Sequence, residues 1–255
     1  MIGEVLSPIW NAPRVVQAAF TTRLGGTSTG AYASFNLAAH VGDDPHCVAA
    51  NRAQLKKSLG LTEEPVWLEQ VHGTNVAMLN DVTPPARAPR ADAAVTARRG
   101  RACAILTADC LPVLLSAKDG SVVAAAHAGW RGLAAGVLDQ TIVQMNTQPS
   151  RIVAWLGPGI GGTVYEVGDE VREALDPTGR ECPRAFTRTR NGHWLANLAL
   201  VARTRLRACG VSHVSGGKQC AYSDNRFYSY RRDHITGRMA SLIWIAPEET
   251  GGPRR

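Results

Sequence analysis

The stretch from Cys103 to Leu133 constrains the fold more than any other part of the chain. It contains three short apolar runs, at 103–107, 112–117 and 121–126, and each has the length and composition of a buried strand. Lys118-Asp119-Gly120 separates the last two runs and is typical of a hairpin turn. The pattern therefore predicts two antiparallel strands joined by a tight turn and preceded by a third strand.

The predicted hairpin brings a cysteine and a histidine together. If 118–120 form the whole loop, Leu111 lies opposite His127, and Cys110 is a diagonal neighbour of His127, roughly 5–8 Å away. A thiolate and an imidazole at that separation can share a tetrahedral Zn²⁺ ion, with bonds of about 2.3 Å to sulfur and about 2.0–2.1 Å to nitrogen. A buried cysteine and a structural histidine would give the same pattern, so the hairpin alone leaves both interpretations open.

The rest of the chain alternates strand-like and helix-like segments. Strands are predicted at 15–21, 66–71, 74–79, 91–96, 151–156, 211–215 and 239–245, and helices at 47–59, 133–145, 167–175 and 197–209. The 255 residues, 45% of them hydrophobic, suffice for a sizeable core, and neither repeats nor a long linker divide them. We therefore predict a single α/β domain with a mixed sheet at 1–247 and a disordered tail at 248–255.

Charge and cysteine spacing narrow the class of protein. Residues 178–255 carry 14 basic but 5 acidic residues, and the basic ones are mostly arginine, which contacts phosphate or carboxylate. No nucleic-acid-binding motif accompanies them, so we expect no nucleic-acid partner. The six cysteines form neither CxxC pairs nor a dense framework, which favours reduced thiols and the cytoplasm. We expect no signal peptide and no membrane span, because no apolar run reaches 18 residues.

A glycine-rich loop at 157–162 points to another class of protein. Its sequence fits G-x-G-x-x-G, and it follows a predicted strand and precedes a predicted helix, as a dinucleotide-binding loop does. However, Pro158 lies inside the turn, and the segment at 177–184 is not a second parallel strand that ends in an acidic residue. We therefore reject a dinucleotide-binding fold.

Seven strings, in order along the chain, carry a family resemblance. They are FTTRLGGTSTGAYASFNLA, WLEQVHGTNV, ADAAVT, LTADCLPVLL, AAAHAGWRGL, WLGPGIGGTVYEVGDEV and FYSYRRDHITGRMASLIWI, and they extend from about Phe20 to Ile245. Through them the chain resembles the multicopper polyphenol oxidase, or laccase-domain, family, whose bacterial members include YfiH and YlmD. The resemblance implies a mixed α/β fold similar to the catalytic domain of cytotoxic necrotising factor.

The resemblance also implies a metal site. Its ligands are the histidine of QVHG, the cysteine of ADC and the histidine of HAGWRG, which are His72, Cys110 and His127 in this chain. Two of the three are the residues that the predicted hairpin brings together. Three protein ligands leave a fourth position open, as in catalytic zinc sites, so we expect zinc, with copper as the alternative.

The implied activity is purine nucleoside chemistry: phosphorolysis of adenosine, inosine and S-methyl-5'-thioadenosine, and deamination of adenosine. The family name implies instead a copper-dependent polyphenol oxidase, but seven histidines without an H-x-H pair are too few for a blue-copper site and a trinuclear cluster. A cysteine hydrolase that edits peptidoglycan precursors, with Cys110 as nucleophile and His127 as base, is a further alternative. We expect a small-molecule enzyme that is a monomer or a weak homodimer.

Further residues are candidates for catalysis or substrate contact. Asp109, beside the candidate ligand Cys110, could act as general acid or base, or could be a hydrogen-bonded turn residue. The candidates to hold phosphate are three arginines: Arg23, Arg131 and Arg231. Two amides, Gln70 and Asn36, could bind the ribose or the base, or could instead satisfy backbone groups.

Overall fold

A computed structural model of the chain describes residues 4–81, 83 and 87–248. Its strands and helices, in chain order, are β1 Val5–Leu6, β2 Val16–Thr21, α1 Pro45–Ser58, β3 Val76–Met78, β4 Ala93–Thr96, β5 Ala102–Thr107, β6 Leu111–Ala117, β7 Val123–Ala128, α2 Trp130–Ala135, α3 Val137–Gln144, β8 Ile152–Leu156, β9 Glu166–Gly168, α4 Asp169–Leu175, β10 Phe186–Arg190, β11 His193–Ala196, α5 Leu198–Ala208, β12 His213–Gly216, α6 Tyr230–Asp233 and β13 Met239–Ile245. Apart from Glu248, the tail predicted at 248–255 lies outside the described residues.

The strands within the described residues form three sheets. The largest has the order β12-β8-β6-β7-β4-β3, with antiparallel pairs at its centre and a parallel pair at each edge. A four-stranded antiparallel sheet has the order β1-β2-β13-β5, and a small sheet has the order β10-β11-β9. The predicted single α/β domain with a mixed sheet is therefore confirmed.

Both faces of the six-stranded sheet are covered, which explains its continuous apolar strands. Every residue of β4, β6, β7 and β8 is buried. Along β6, Val113 and Leu115 belong to the core that includes Leu138 of α3, whereas Leu114 belongs to the core that includes Phe20 of β2. Successive side chains thus pack against a helical layer and against the second sheet, as in strands buried on both faces.

The central hairpin is present, but its loop is one residue longer than predicted. The N–H of Ala117 donates to the carbonyl of Val122 at 2.9 Å, so the loop spans 118–121. The side chain of Asp119 accepts hydrogen bonds from both the N–H and the hydroxyl of Ser121. These bonds hold Ser121 in the turn, where its short polar side chain is favoured over a place in the apolar strand.

The longer loop shifts the pairing register by one residue. His127 lies opposite Pro112, not opposite Leu111 as predicted. Cys110 therefore precedes the paired part of β6 and follows Asp109, which has a left-handed backbone with φ of 91°. The turn at Asp109, rather than a diagonal position on the ladder, brings Cys110 to His127.

Other predicted elements also differ from the structure. The helix predicted at 133–145 is divided into α2 and α3 by Gly136, which has a left-handed backbone with φ of 93°. The segment predicted as a strand at 66–71 makes isolated bridges at Val66 and Glu69 but no strand. The hairpin of β10 and β11 was not predicted, because its exposed arginines and threonines lack an apolar pattern. The remaining predicted strands and helices begin and end within two residues of the observed ones.

Of the helices that the structure describes, none combines the length and the apolar character that crossing a membrane requires.

Candidate metal centre

Three side chains converge at one end of the six-stranded sheet. His72 lies in the loop before β3, Cys110 directly precedes β6, and His127 lies within β7. Their ligand atoms all lie within 4.8 Å of one another. Sγ of Cys110 is 3.8 Å from Nε2 of His72, and the two imidazole rings meet edge to face with centroids 4.8 Å apart. The structure thus brings together the three residues predicted as ligands.

The donor set and its surroundings fit a zinc ion. Two imidazole nitrogens and one thiolate sulfur are ligands that zinc prefers, and three protein ligands are typical of catalytic sites. His127 is buried, Cys110 is half-buried and His72 is exposed, so the group is reached from one side. That side can admit a water molecule or a substrate as the fourth ligand.

The carboxylate of Asp92, which was not among the residues predicted for the site, organises two of the ligands. Asp92 is fully buried, and one of its oxygens lies 2.8 Å from Nδ1 of His127. It also accepts the backbone N–H groups of Val71, His72 and Gly73 at 3.1, 2.9 and 2.7 Å. Burial opposes ionisation, but the contact with His127 and these N–H donors outweigh it and lower the pKa of Asp92. The ionised carboxylate therefore accepts from Nδ1 and leaves Nε2 of His127 for a metal.

The backbone at His72 is held in an uncommon conformation. Its φ is 60°, in the left-handed region that residues other than glycine rarely adopt. The three N–H groups that Asp92 receives come from this residue and its two neighbours, so the carboxylate fixes the turn. A strained backbone of this kind persists where surrounding contacts over-determine it, and it is frequent at functional sites.

Gly129, the residue before α2, lies against all three ligands. A Cβ atom added there would be 3.0 Å from Sγ of Cys110, 3.0 Å from Cδ2 of His72 and 3.6 Å from Cε1 of His127. Its φ of −64° suits any residue, so close approach rather than backbone freedom requires the glycine. The first glycine of the HAGWRG string, Gly129, therefore leaves room for the ligand side chains.

Cys110 and His127 change each other's proton affinity. Burial raises the pKa of the Cys110 thiol, but the facing imidazoles of His127 and His72 outweigh burial and hold that pKa below its usual value. Burial also disfavours the protonated form of His127, yet Cys110 and Asp92 hold its pKa above the usual value. Both shifts favour the thiolate of Cys110, which is the form that binds metals and attacks electrophiles.

Asp109 is a buried carboxyl group beside the ligand Cys110. One oxygen accepts the backbone N–H of Arg231 at 2.6 Å, and the other has no hydrogen-bond partner within the described part of the chain. Burial raises the pKa of Asp109, and the hydrogen bond from Arg231 only partly offsets this effect. A carboxyl group that keeps its proton to higher pH suits a general acid. Asp109 is also a hydrogen-bonded turn residue, and it is not among the residues that line the cavity beside the ligands.

A cavity of about 390 Å³ opens beside the three ligands. Its lining residues are His40, Gln70, His72, Leu106, Thr107, Ala108, Cys110, His127, Tyr230 and Arg238. The amide of Gln70 donates to the carbonyl of Leu106 at 2.9 Å and accepts from its N–H at 2.8 Å. Gln70 therefore lines the cavity while its amide satisfies backbone groups, and its contact with the ribose or the base stays a prediction.

The three arginines predicted to hold phosphate are not among the residues that line this cavity. Arg23 donates from Nε to the carbonyl of Ala33 at 2.9 Å. Arg131 stacks on the ring of Trp130, 4.4 Å from its centroid. Arg231 donates to the carbonyl of Glu166 at 2.9 Å and lies 5.0 Å from the ring centroid of Tyr165. Each of these guanidinium groups thus already has a structural contact.

Asn36 also lies away from the cavity lining. It is fully buried, and its amide nitrogen donates to the carbonyl of Ala38 and to the carboxylate of Asp43. Its amide oxygen accepts the backbone N–H groups of Ala38 and Arg238. Asn36 therefore holds the turn that presents Arg238 to the cavity.

Four polar residues of the site lie in the matched strings but were not identified from the sequence: Asp92, Thr107, Tyr230 and Arg238. Asp92 belongs to ADAAVT, where a carboxylate inside an otherwise apolar strand could have indicated a functional residue. Tyr230 and Arg238 belong to the last string, in a segment rich in arginine that offered no basis for choosing among them. His40, the other polar residue that was missed, lies just beyond the first string.

Fold and site together define a mixed-sheet α/β protein with a candidate His-Cys-His metal centre beside a cavity. The sequence profile of the family described as multi-copper polyphenol oxidoreductase laccase matches residues 17–246. The chain belongs to this family.

Curated relatives and solved structures match nearly the whole chain. It is 46% identical over 245 residues to "Purine nucleoside phosphorylase YfiH" of Escherichia coli, covering 96% of this chain and 100% of that one. It is 48% identical over 242 residues to "Purine nucleoside phosphorylase PA4543" of Pseudomonas aeruginosa, covering 94% and 98%. The crystal structure of Neisseria meningitidis protein NMB0706 superposes with a TM-score of 0.90 at 45% identity, covering 95% and 99%. That of YlmD from Geobacillus stearothermophilus has a TM-score of 0.88 at 33% identity, covering 96% and 99%.

Proposed function

We propose that the protein is a zinc-dependent purine nucleoside phosphorylase. Its proposed substrates are adenosine, inosine and S-methyl-5'-thioadenosine, and it also deaminates adenosine. The observation that carries the proposal is the convergence of His72, Cys110 and His127 on one wall of a cavity large enough for a small ligand. Relatives that are named purine nucleoside phosphorylases and that match over their full length support the reaction class.

Five residues have a part in this chemistry: the three candidate ligands, Asp92 and Asp109. Zinc bound by the three ligands would polarise substrate oxygens and lower the pKa of a bound water. Asp92 keeps His127 in the tautomer that offers Nε2, and it fixes the loop that carries His72. Asp109 is our candidate to hold, on its unpaired carboxyl oxygen, the proton that a departing purine or amino group needs.

Metal content and phosphate-dependent turnover test the proposal together. The purified protein should hold about one zinc per chain, and Cys110→Ala should lose most of it. Release of hypoxanthine from inosine should require inorganic phosphate and should yield ribose 1-phosphate. Unchanged zinc in Cys110→Ala would contradict the ligand assignment, and base release at the same rate without phosphate would contradict phosphorolysis.

A cysteine hydrolase is the second candidate, and one observation favours it. The lowered pKa of Cys110 and the Asp92–His127 contact resemble a nucleophile with an oriented base, and the substrate would be an amide in a peptidoglycan precursor. The two candidates differ in their response to metal removal. A nucleophilic Cys110 would act in metal-depleted protein and be inactivated by iodoacetamide, whereas the phosphorylase would recover its activity when zinc is restored.

The proposal excludes a copper oxidase and includes a cellular location. A copper-loaded sample should consume little oxygen with phenols, since seven histidines are too few for the required clusters. We propose a cytoplasmic location, which the six free thiols support. We also propose a monomer or weak homodimer that acts on small molecules and has neither a nucleic acid nor a membrane as its partner.

A further inference from the structure

Arg238 presents its guanidinium to the same cavity as the three candidate metal ligands. Its Nη1 donates to the carbonyls of Thr236 and Gly237 at 2.8 and 3.0 Å, and its backbone N–H donates to the buried amide of Asn36 at 2.9 Å. These bonds fix the turn and engage one nitrogen of the guanidinium, whose central carbon also lies 5.9 Å from the ring centroid of Tyr230. Within the described part of the chain, Nε and Nη2 have no hydrogen-bond partner.

The guanidinium of Arg238 has no ion-pair partner within the described residues, and the negative groups that attract it, Cys110 and Asp109, act on it without such a contact. No aspartate or glutamate there forms an ion pair with it, whereas the nearby Arg232 pairs with Asp233 at 2.8 Å. Burial disfavours the cation and lowers the pKa of Arg238, and the attraction of Cys110 and Asp109 offsets burial only in part. A partly desolvated cation is costly unless an anion meets it, so this side of the cavity is suited to a negatively charged ligand.

His40 also lines the cavity, and its pKa reflects the positive charge on this side of the cavity. Burial lowers the pKa of His40, and the positive charges of Arg238 and Arg52 lower it further. Positive potential therefore accumulates at this part of the wall. The metal ligands, the cation and a cavity of about 390 Å³ together form a site with room for a nucleoside and an oxyanion.

We propose that Arg238 binds the phosphate co-substrate, with Nε and Nη2 donating to two of its oxygens. The inference rests on the proposed phosphorolysis and transfers the phosphate-binding role from Arg23, Arg131 and Arg231 to a residue that lines the cavity. A planar guanidinium matches two oxygens of one phosphate, which a lysine cannot do. Fixing the dianion beside the nucleoside also supplies orientation, which accounts for a large part of the rate in two-substrate reactions.

The reaction balances without any further reactant. One phosphate oxygen forms a bond to C1′ of the ribose while the bond from C1′ to N9 of the purine breaks. The electron pair of that bond goes to the purine, which takes up one proton, and the phosphate loses one. The products are ribose 1-phosphate and the free base, and Arg238 keeps its charge throughout.

Substitution at Arg238 separates phosphate use from the rest of the site. We expect Arg238→Gln to raise the KM for phosphate in inosine phosphorolysis about ten- to hundredfold, the range expected when a charge-assisted bidentate contact is lost. Arg238→Lys should raise the KM for phosphate less, since lysine keeps the positive charge but cannot donate two parallel hydrogen bonds. Zinc content should stay close to wild type in both variants, and adenosine deamination, which uses water, should fall less than phosphorolysis. Arg151→Gln, which removes an exposed ion pair with Asp119, is the matched control and should change none of these values.

Phosphate binding without turnover gives a second readout. Inorganic phosphate added to the zinc-loaded wild type without nucleoside should raise its melting temperature, and this rise should be lost in Arg238→Gln. A phosphate response that persists in Arg238→Gln, or that disappears instead in Arg131→Gln or Arg231→Gln, would overturn the assignment. Phosphate binding that depends on Arg238 in a protein that releases no base would support the anion site while contradicting the proposed phosphorylase.

Discussion

Asp92 and His127 are joined by a contact of 2.8 Å between a carboxylate oxygen and Nδ1, and the same carboxylate holds the backbone around His72. One buried side chain thereby sets the orientation of a ligand on β7 and the position of a ligand in a distant loop. Because these bonds form between protein groups, the ligand set is arranged before any metal binds. If the ligand side chains became ordered only when the metal binds, the entropy lost in that step would weaken the affinity for the metal.

Replacing Asp92 by asparagine should weaken zinc binding about 10- to 100-fold, the usual effect of removing a group that orients a ligand. Asparagine has one acceptor oxygen, and its NH₂ group would face N–H donors that now meet a carboxylate. Competition with a chromogenic chelator measures the affinity. Asp119→Asn, in the exposed hairpin turn, is the control. Equal affinities in Asp92→Asn and wild type would mean that Asp92 does not organise the ligands.

Gly129→Ala should reduce zinc affinity at least about tenfold, because the added methyl group would displace Cys110 and His72 from their present positions. Gly73→Ala is a matched control in the same site, since a Cβ atom there would meet its nearest neighbours at an ordinary 3.6 Å. The same chelator assay applies to both variants. If the two alanine variants bind zinc equally well, the close packing of Gly129 against the ligands has no consequence for the metal.

The sequence predicted the central strands well because both faces of the main sheet are buried. Continuous apolar runs such as 112–117 leave no alternative to a buried element, and the hairpin turn between them was evident. The register was harder to predict, because it depended on whether Ser121 joins the turn through its bonds to Asp119. The hydrophobic pattern cannot show whether a single residue at the end of a strand belongs to the strand or to the turn.

The candidate site could be predicted only in part, for a related reason. Cys110 and His127 are close in sequence and lie on adjoining segments, so local pairing indicated their contact. Asp92 acts through a loop about twenty residues away, and Arg238 enters the cavity through a turn held by Asn36. Such long-range contacts leave no periodic signal in a single sequence, so the prediction of Arg23, Arg131 and Arg231 used residue type and position along the chain.

Two half-buried thiols, Cys220 and Cys209, should differ in their reactivity with pH. Burial raises the pKa of Cys220, but hydrogen bonds from Ser223 and from backbone N–H groups, including that of Gly161 at 3.1 Å, outweigh it and lower the pKa. Burial and the carboxylate of Asp139 raise the pKa of Cys209 to about 11. As the pH rises, Cys220 should form its thiolate first.

Iodoacetamide labelling over a pH series, read by mass spectrometry, measures this order. Cys220 should be labelled at a pH at which Cys209 is still largely unmodified. Asp139→Asn should move the labelling of Cys209 to lower pH and leave that of Cys220 unchanged. Identical pH profiles for the two thiols in the unaltered protein would show that their hydrogen bonds do not control their reactivity.

Asn36→Ala should lower the free energy of unfolding by about 2–6 kcal/mol, because it leaves the N–H groups of Ala38 and Arg238 without their acceptor at roughly 1–3 kcal/mol each. Urea denaturation measures the loss, and Asn191→Ala in the exposed β10–β11 turn is the control. The KM for phosphate should also rise, because the turn that carries Arg238 loosens. If Asn36 instead contacted the nucleoside directly, as its residue type first indicated, Asn36→Ala would raise the KM for inosine while the stability stayed unchanged.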